Sequence, residues 1–286
     1  MNKKTVKIIR LIILVICIGL LVAGGYMFYK QQIAPLRKQK KLQDMYHGKS
    51  KIIELDTKAA AEQSEAAFDI LDFQNSDAAV HPDFAALYAV NPDLAGWLEA
   101  EGAFSLPVTQ RDNEYYLDHD FYGRSCAEGM AFVNADCRLR PQDRYVMIHG
   151  HNMRSGAVFG NLDLYRDETY LRAHPILTFR TIRDEAAAAY APVAAFDASV
   201  DPDEAGYVNI ARISFDSDGD FLDYARSLTD ASLMRLPLDV TGTDRLLALV
   251  TCSYDQNDGR FVLLLRKLRP DENEDAVRAL FLEEGM

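Results

Sequence analysis

Two stretches of this 286-residue chain carry residue types and spacings suited to nucleophilic chemistry. The first runs Leu246-Leu-Ala-Leu-Val-Thr-Cys252-Ser-Tyr-Asp-Gln-Asn-Asp-Gly-Arg260-Phe-Val-Leu-Leu-Leu265. An apolar run ends in Thr251-Cys252, a polar loop spans 253–259, and a second apolar run begins at Arg260. If the two runs pair as an antiparallel hairpin, Cys252 and Arg260 face each other with Cβ atoms about 5 Å apart. A neighbouring cation favours the thiolate, and a guanidinium can stabilise an acyl-transfer oxyanion. A buried structural cysteine beside a solvated arginine would give the same pattern.

A nucleophilic thiol needs a proton partner. The second stretch, Tyr145-Val-Met-Ile-His149-Gly-His151-Asn-Met-Arg-Ser-Gly156, supplies two candidates. An apolar strand runs into a Gly/Asn/Ser loop of the kind that carries function on a rigid scaffold. His149 closes the strand, and His151 follows Gly150, so it has more freedom to reach a cleft. Spacing leaves the choice between them open. A His-x-His pair can also bind metal, but no third ligand stands at convincing spacing, so no metal is expected.

The elements around these stretches must position them. Short apolar runs at 130–134, 145–149, 176–182, 189–196, 246–251 and 261–265, separated by turn residues, predict an all-β barrel or sandwich. Helical insertions are expected near 157–172 and 218–235. The second follows Asp216-Ser-Asp218-Gly-Asp220, which reads as a helix cap. An EF-hand would place glycine at the sixth position and glutamate at the twelfth, where this chain has Ser227. Residues 59–90 are alanine-rich with spaced apolar positions, consistent with one or two short helices.

The uncharged run Leu11–Tyr29 is long enough to cross a bilayer and longer than an ordinary signal-peptide core. It is expected to be an uncleaved anchor after a short tail, 1–10. Lysines and arginines flank it on both sides, so charge alone does not orient it. Residues 30–58 read as a polar, lysine-rich juxtamembrane stalk, and 59–286 as the folded domain. A net charge of −12 argues against nucleic acid as a partner. Of the other cysteines, Cys17 lies in the apolar run, and Cys126 and Cys137 can pair as a disulfide in an oxidising compartment.

The chain resembles the sortase family, class B. The family nucleophile motif Thr-Leu-x-Thr-Cys is matched by Ala248-Leu249-Val250-Thr251-Cys252, with alanine in place of the first threonine. The family arginine, one short loop later, corresponds to Arg260. The family histidine sits in a Gly-His-Asn context, matched by Gly150-His151-Asn152, which favours His151 over His149. The class B character comes from Asn91-Pro-Asp-Leu-Ala-Gly-Trp97 with Leu106-Pro-Val-Thr-Gln110, from Asp112-Asn-Glu-Tyr-Tyr-Leu-Asp-His-Asp-Phe-Tyr-Gly123, and from His151-Asn-Met through Phe159-Gly-Asn-Leu162. The likeness covers roughly residues 65–268. His119 and Asp120 look like family framework.

The resemblance implies a mainly β fold: a closed eight-stranded barrel with N-terminal helices and a helix before the penultimate strand, after one transmembrane helix. It implies a cysteine transpeptidase that needs no cofactor. Cys252 would attack a peptide carbonyl in a C-terminal sorting signal, of the Asn-Pro-x-Thr-Asn or Ser/Asn-Pro-x-Thr-Gly type, on a secreted protein. A thioacyl-enzyme would pass its acyl group to an amine of a cell-wall precursor or a pilin. His151 would act as acid and base, Arg260 would hold the substrate or oxyanion, and Thr251 and Asn152 would lie against substrate. The domain would stand outside the cell on a single-pass anchor. A hydrolytic cysteine peptidase or cell-wall amidase, or a non-catalytic tethered barrel, would share much of this pattern.

Overall fold

The computed structural model describes residues 3–48, 80–199, 201–204, 206–252 and 259–283. Eight strands close a barrel in the order β1-β2-β3-β4-β7-β8-β6-β5. They are β1 (Leu94–Ala100), β2 (Phe104–Thr109), β3 (Ala131–Val133), β4 (Tyr145–His149), β5 (Leu177–Thr181), β6 (Ala188–Ser199), β7 (Leu246–Cys252) and β8 (Gly259–Lys267). The expected closed barrel is present. All six apolar runs form strands, and β1 and β2 join them from a region the periodicity left undivided.

Most pairings are antiparallel; β2–β3 is parallel, and so is β4–β7, with His149 opposite Val250. Both β4 and β7 are buried on their two faces, which is why they read as unbroken apolar runs rather than as alternation. Val146, Ile148, Leu247 and Leu249 fill the barrel. Tyr145, Met147, Leu246, Ala248 and Val250 pack outward under a second cluster with Phe221, Tyr224 and Leu228. Those three residues belong to helix Asp218–Asp230, the insertion expected before β7. Its cap is the one the sequence suggests: Ser217 accepts a hydrogen bond from Asp220 N–H at 3.1 Å. The insertion near 157–172 is a 3-10 turn, Leu162–Arg166, followed by a one-and-a-half-turn helix, Glu168–Ala173. Pro192 is tolerated in long β6 because the register slips between Pro192 and Ala194, the bulge that a missing N–H favours.

At the N-terminus, helix α1 (Lys3–Phe28) continues through a π turn, Tyr29–Ile33, into α2 (Ala34–Tyr46). Its apolar side chains from Ile12 to Phe28 are exposed all round. α2 lies on the barrel: Leu42 is buried, and Tyr46 stacks on Trp97 with centroids 4.3 Å apart. Part of the polar stretch 30–58 is thus packed helix. Helix α3 (Ala85–Val90) falls within the expected helical region, of which residues 59–79 lie outside the described residues. A helix at the other end of the chain, Glu274–Glu283, was not expected from sequence. It buries Val277 and Phe281 against the barrel core.

Candidate active site

The register of the β7–β8 hairpin puts Cys252 opposite Arg260, with Thr251 opposite Phe261. Strand alternation fixes which face each position occupies. Positions 252 and 260 continue the outward-facing series Ala248, Val250, Val262 and Leu264, and so does position 149 on β4. The helix over this face spans Asp218–Asp230, and the ends of β4, β7 and β8 form one rim of the barrel. Arg260 is half-buried, and its guanidinium donates to Gly259 O at 3.1 Å.

Both histidines stand at this rim in different settings. His149 presents Nε2 to the Asn134 side-chain amide nitrogen at 3.3 Å. That nitrogen only donates, so Nε2 accepts and the ring is neutral. Burial, and then the nearby Arg260 charge, push the His149 pKa down to about 4. His151 sits one step beyond the strand. Gly150 lets the chain turn closely there, since a Cβ at that position would stand 2.7 Å from the Phe159 ring. His151 Nε2 lies 2.7 Å from Leu117 O. A carbonyl only accepts, so Nε2 carries a proton, and in the neutral ring Nδ1 is the basic nitrogen. The loop beyond is tightly wound: Val158 has a φ of 53°, uncommon for a β-branched residue.

The two further residues expected near substrate are both buried. Asn152 donates Nδ2 to Asp163 Oδ2 at 2.6 Å. Thr251 is on the interior parity with Leu247 and Leu249, and its Oγ1 is buried without a hydrogen-bond partner among the described residues. Sequence reasoning missed Leu117, Asp163, Arg166 and Asp197, which surround the histidine loop. Asp163 and Arg166 stand three apart in a region read as helical, but nothing in the sequence links them to Asp197.

Cys126 and Cys137 are poor nucleophiles. Burial, together with a hydrogen bond to Glu128 at 2.6 Å, raises the pKa of Cys126. Burial pushes Cys137 up to about 11. Both are free thiols rather than the disulfide that their spacing allowed. Asp120 is a framework residue, gripping Arg124 at 2.8 Å and capping the Tyr122 N–H at 3.0 Å.

No family model matches the chain. It is 27% identical over 224 residues to sortase B of Listeria monocytogenes, covering 77% of this chain and 86% of that protein. Sortase B of Staphylococcus aureus is 25% identical over 194 residues, covering 66% of this chain and 76% of that one. Among solved structures, Clostridium perfringens sortase B superposes with a TM-score of 0.59 at 26% identity, over 64% of this chain and 98% of the other. These relatives and structures support a class B sortase. Sortases are cysteine transpeptidases, and the chain has the closed barrel of their solved structures.

The setting of His149 gives the protein an acid-sensitive stability. The folded ring refuses a proton that the unfolded chain accepts below about pH 6.5, the ordinary value, and it continues to do so down to about 4. The unfolded state therefore binds more protons in that window, and stability falls as pH drops from 6.5 towards 4. The ring is partly exposed, so the effect should be on the order of 2 kcal/mol. His149→Gln, which cannot be protonated, should flatten this limb in urea unfolding measured at pH 7 and pH 4.5. An unchanged pH slope in the variant would contradict the assignment.

Proposed function

We propose that this sortase cleaves a C-terminal sorting signal of secreted proteins and joins the new carboxyl end to an amine. The supporting observation is the β7–β8 register, which sets position 252 against Arg260 on the rim that also carries His151. The Cys252 thiolate attacks the scissile carbonyl, and the tetrahedral oxyanion is held by the Arg260 guanidinium. Collapse breaks the C–N bond, and His151 gives its proton to the departing amine. The thioacyl-enzyme is then attacked by an amine, which loses a proton to His151, and the thiolate is restored. Cell-wall precursors and pilins are the acceptor class. Two structural neighbours fit this reading: a Staphylococcus aureus sortase B solved with substrate, and a sortase B solved with triglycine. The test is to incubate the protein with peptides of the Asn-Pro-x-Thr-Asn and Ser/Asn-Pro-x-Thr-Gly types and identify the cleaved bond by mass spectrometry. Cleavage after threonine supports the reading, and no cleavage of any panel member counts against it.

Arg260 acts through directed hydrogen bonds in this scheme. Guanidinium offers a rigid fork of donors, and lysine a compact charge. Arg260→Lys should therefore fail nearly as badly as Arg260→Ala, with kcat/KM down on the order of 100-fold, the scale of losing an oxyanion donor. Near-normal turnover in the lysine variant would leave Arg260 only a charge effect on the thiol.

Helix α1 would hold the enzyme in the membrane as a single-pass anchor, with the barrel outside the cell. Its 18-residue window reaches a mean hydropathy of 2.4 with none of it buried by protein. Full-length protein should stay with membranes through an alkaline wash. Release by salt alone would mean that residues 11–29 do not span the bilayer.

A further inference from the structure

The three residues assigned to chemistry sit on separate pieces of chain, and one arginine outside them touches the neighbours of all three. The β4–β7 ladder stops near Gly150, whose N–H bonds Val250 O at 3.1 Å. Beyond it, Asn152 bridges Val158, and Phe159 N–H bonds His151 O at 3.1 Å, contacts made within the loop itself. Besides the His151–Leu117 contact and the buried Val158 and Phe159, the loop is tied to the barrel through the next side chain. Asn152 donates to Asp163 at 2.6 Å, and Arg166 Nε donates to the other oxygen of Asp163 at 3.2 Å. The two terminal nitrogens of Arg166 grip Asp197 of β6 at 2.5 and 2.6 Å, and its guanidinium lies 4.2 Å from the Phe261 ring centroid. Phe261 follows Arg260 and opposes both Thr251 and Asp197 in the sheet. The side chains of Arg166 and Asp197 are only 22% and 19% exposed, so solvent screens the pair weakly.

The geometry points to Arg166 as a positioning residue that sets His151 relative to Cys252 and Arg260. Bidentate pairing fixes the guanidinium plane in two directions, and stacking on Phe261 fixes the third. A displacement of the histidine loop by about 1 Å is enough to cost on the order of 100-fold in rate. Lysine can supply the charge at this position but neither the fork nor the stack. This inference rests on the proposed roles of Cys252 and His151.

The test compares Arg166→Lys, Asn152→Ala and the double variant in the full-length chain, with Arg226→Lys at an exposed pair as the control. Peptide cleavage is read as kcat and KM per folded molecule. Exchange of the His151 Nε2 proton with water is read by NMR on histidine-labelled protein, which needs no substrate. Arg166→Lys should lower kcat about 30-fold with KM within about threefold. It should also speed the exchange at least about tenfold, because the hold on Leu117 O loosens. The double variant should be little worse than the worse single, as expected for one shared linkage. A role confined to stability would lower the melting temperature and leave kcat per folded molecule and the exchange rate unchanged, and that result overturns the proposal. Additive losses in the double variant would overturn it as well. If Cys252→Ala and His151→Ala both still cleave, the functional reading has failed instead, and the exchange measurement still decides whether Arg166 holds His151.

Discussion

Cys252→Ala should abolish peptide cleavage and leave the fold intact, whereas Cys126→Ala and Cys137→Ala should keep most activity per folded molecule. The loss should reach the assay limit, because nothing else at the rim can form the thioester. The fold should survive because position 252 is the last residue of β7, opposite Arg260, and the change makes no large cavity. The other two thiols are both raised in pKa, Cys137 to about 11, so each is almost wholly protonated at neutral pH. Cys137 packs in the barrel core, so its alanine variant should lose some stability. Measuring cleavage alongside melting temperature separates the two effects. Equal inactivation by all three changes would refute the assignment of the nucleophile.

His151→Ala should be nearly as damaging as the cysteine change, with kcat/KM down about 1,000-fold, within the range for losing a general acid–base group. His149→Ala should cost far less. Both residues stand at the rim, but only one is suited to carry a proton. The His149 pKa is about 4, so its ring stays neutral at working pH, and Nε2 is committed to Asn134. Burial is the larger cause, and the Arg260 charge that a proton on His149 would face is the second. His151 donates Nε2–H to the Leu117 carbonyl, which leaves Nδ1 as the nitrogen that takes and gives the proton in the proposed mechanism. Kinetics of the two alanine variants decide the matter, and a reversed ranking would move the acid–base role to His149.

The hairpin that carries Cys252 and Arg260 was legible because its chemistry is local. Two apolar runs, a polar loop and the period of a strand suffice to place opposite residues. The cap at Ser217 was legible for the same reason. The choice between His149 and His151 was not, since residues two apart on an extended chain have the same parity. The motif context favoured His151, and the structure adds the physical difference in the partners of the two rings. The parallel pairing of β4 with β7 could not be read, because unbroken apolar strands carry no mark of which neighbour they take. The Arg166–Asp197 pair joins residues 31 apart, and a single sequence does not show which of many arginines finds which aspartate. The C-terminal helix was missed because Val277 and Phe281 sit among the charged residues Glu274, Asp275, Arg278 and Glu283, a pattern easily read as a solvated tail.

In the proposed mechanism an acyl group rests on Cys252 and leaves on an amine. Intact-mass measurement of the full-length protein, taken soon after mixing with a cleavable sorting peptide, tests it directly. An adduct with the mass of the N-terminal peptide fragment should appear, located on the peptide that contains Cys252. Adding triglycine should discharge the adduct to the ligated product faster than water gives the free acid. No adduct on Cys252, or an adduct that yields only the free acid at any triglycine concentration, would contradict the claim, and the second result would make the enzyme a hydrolase.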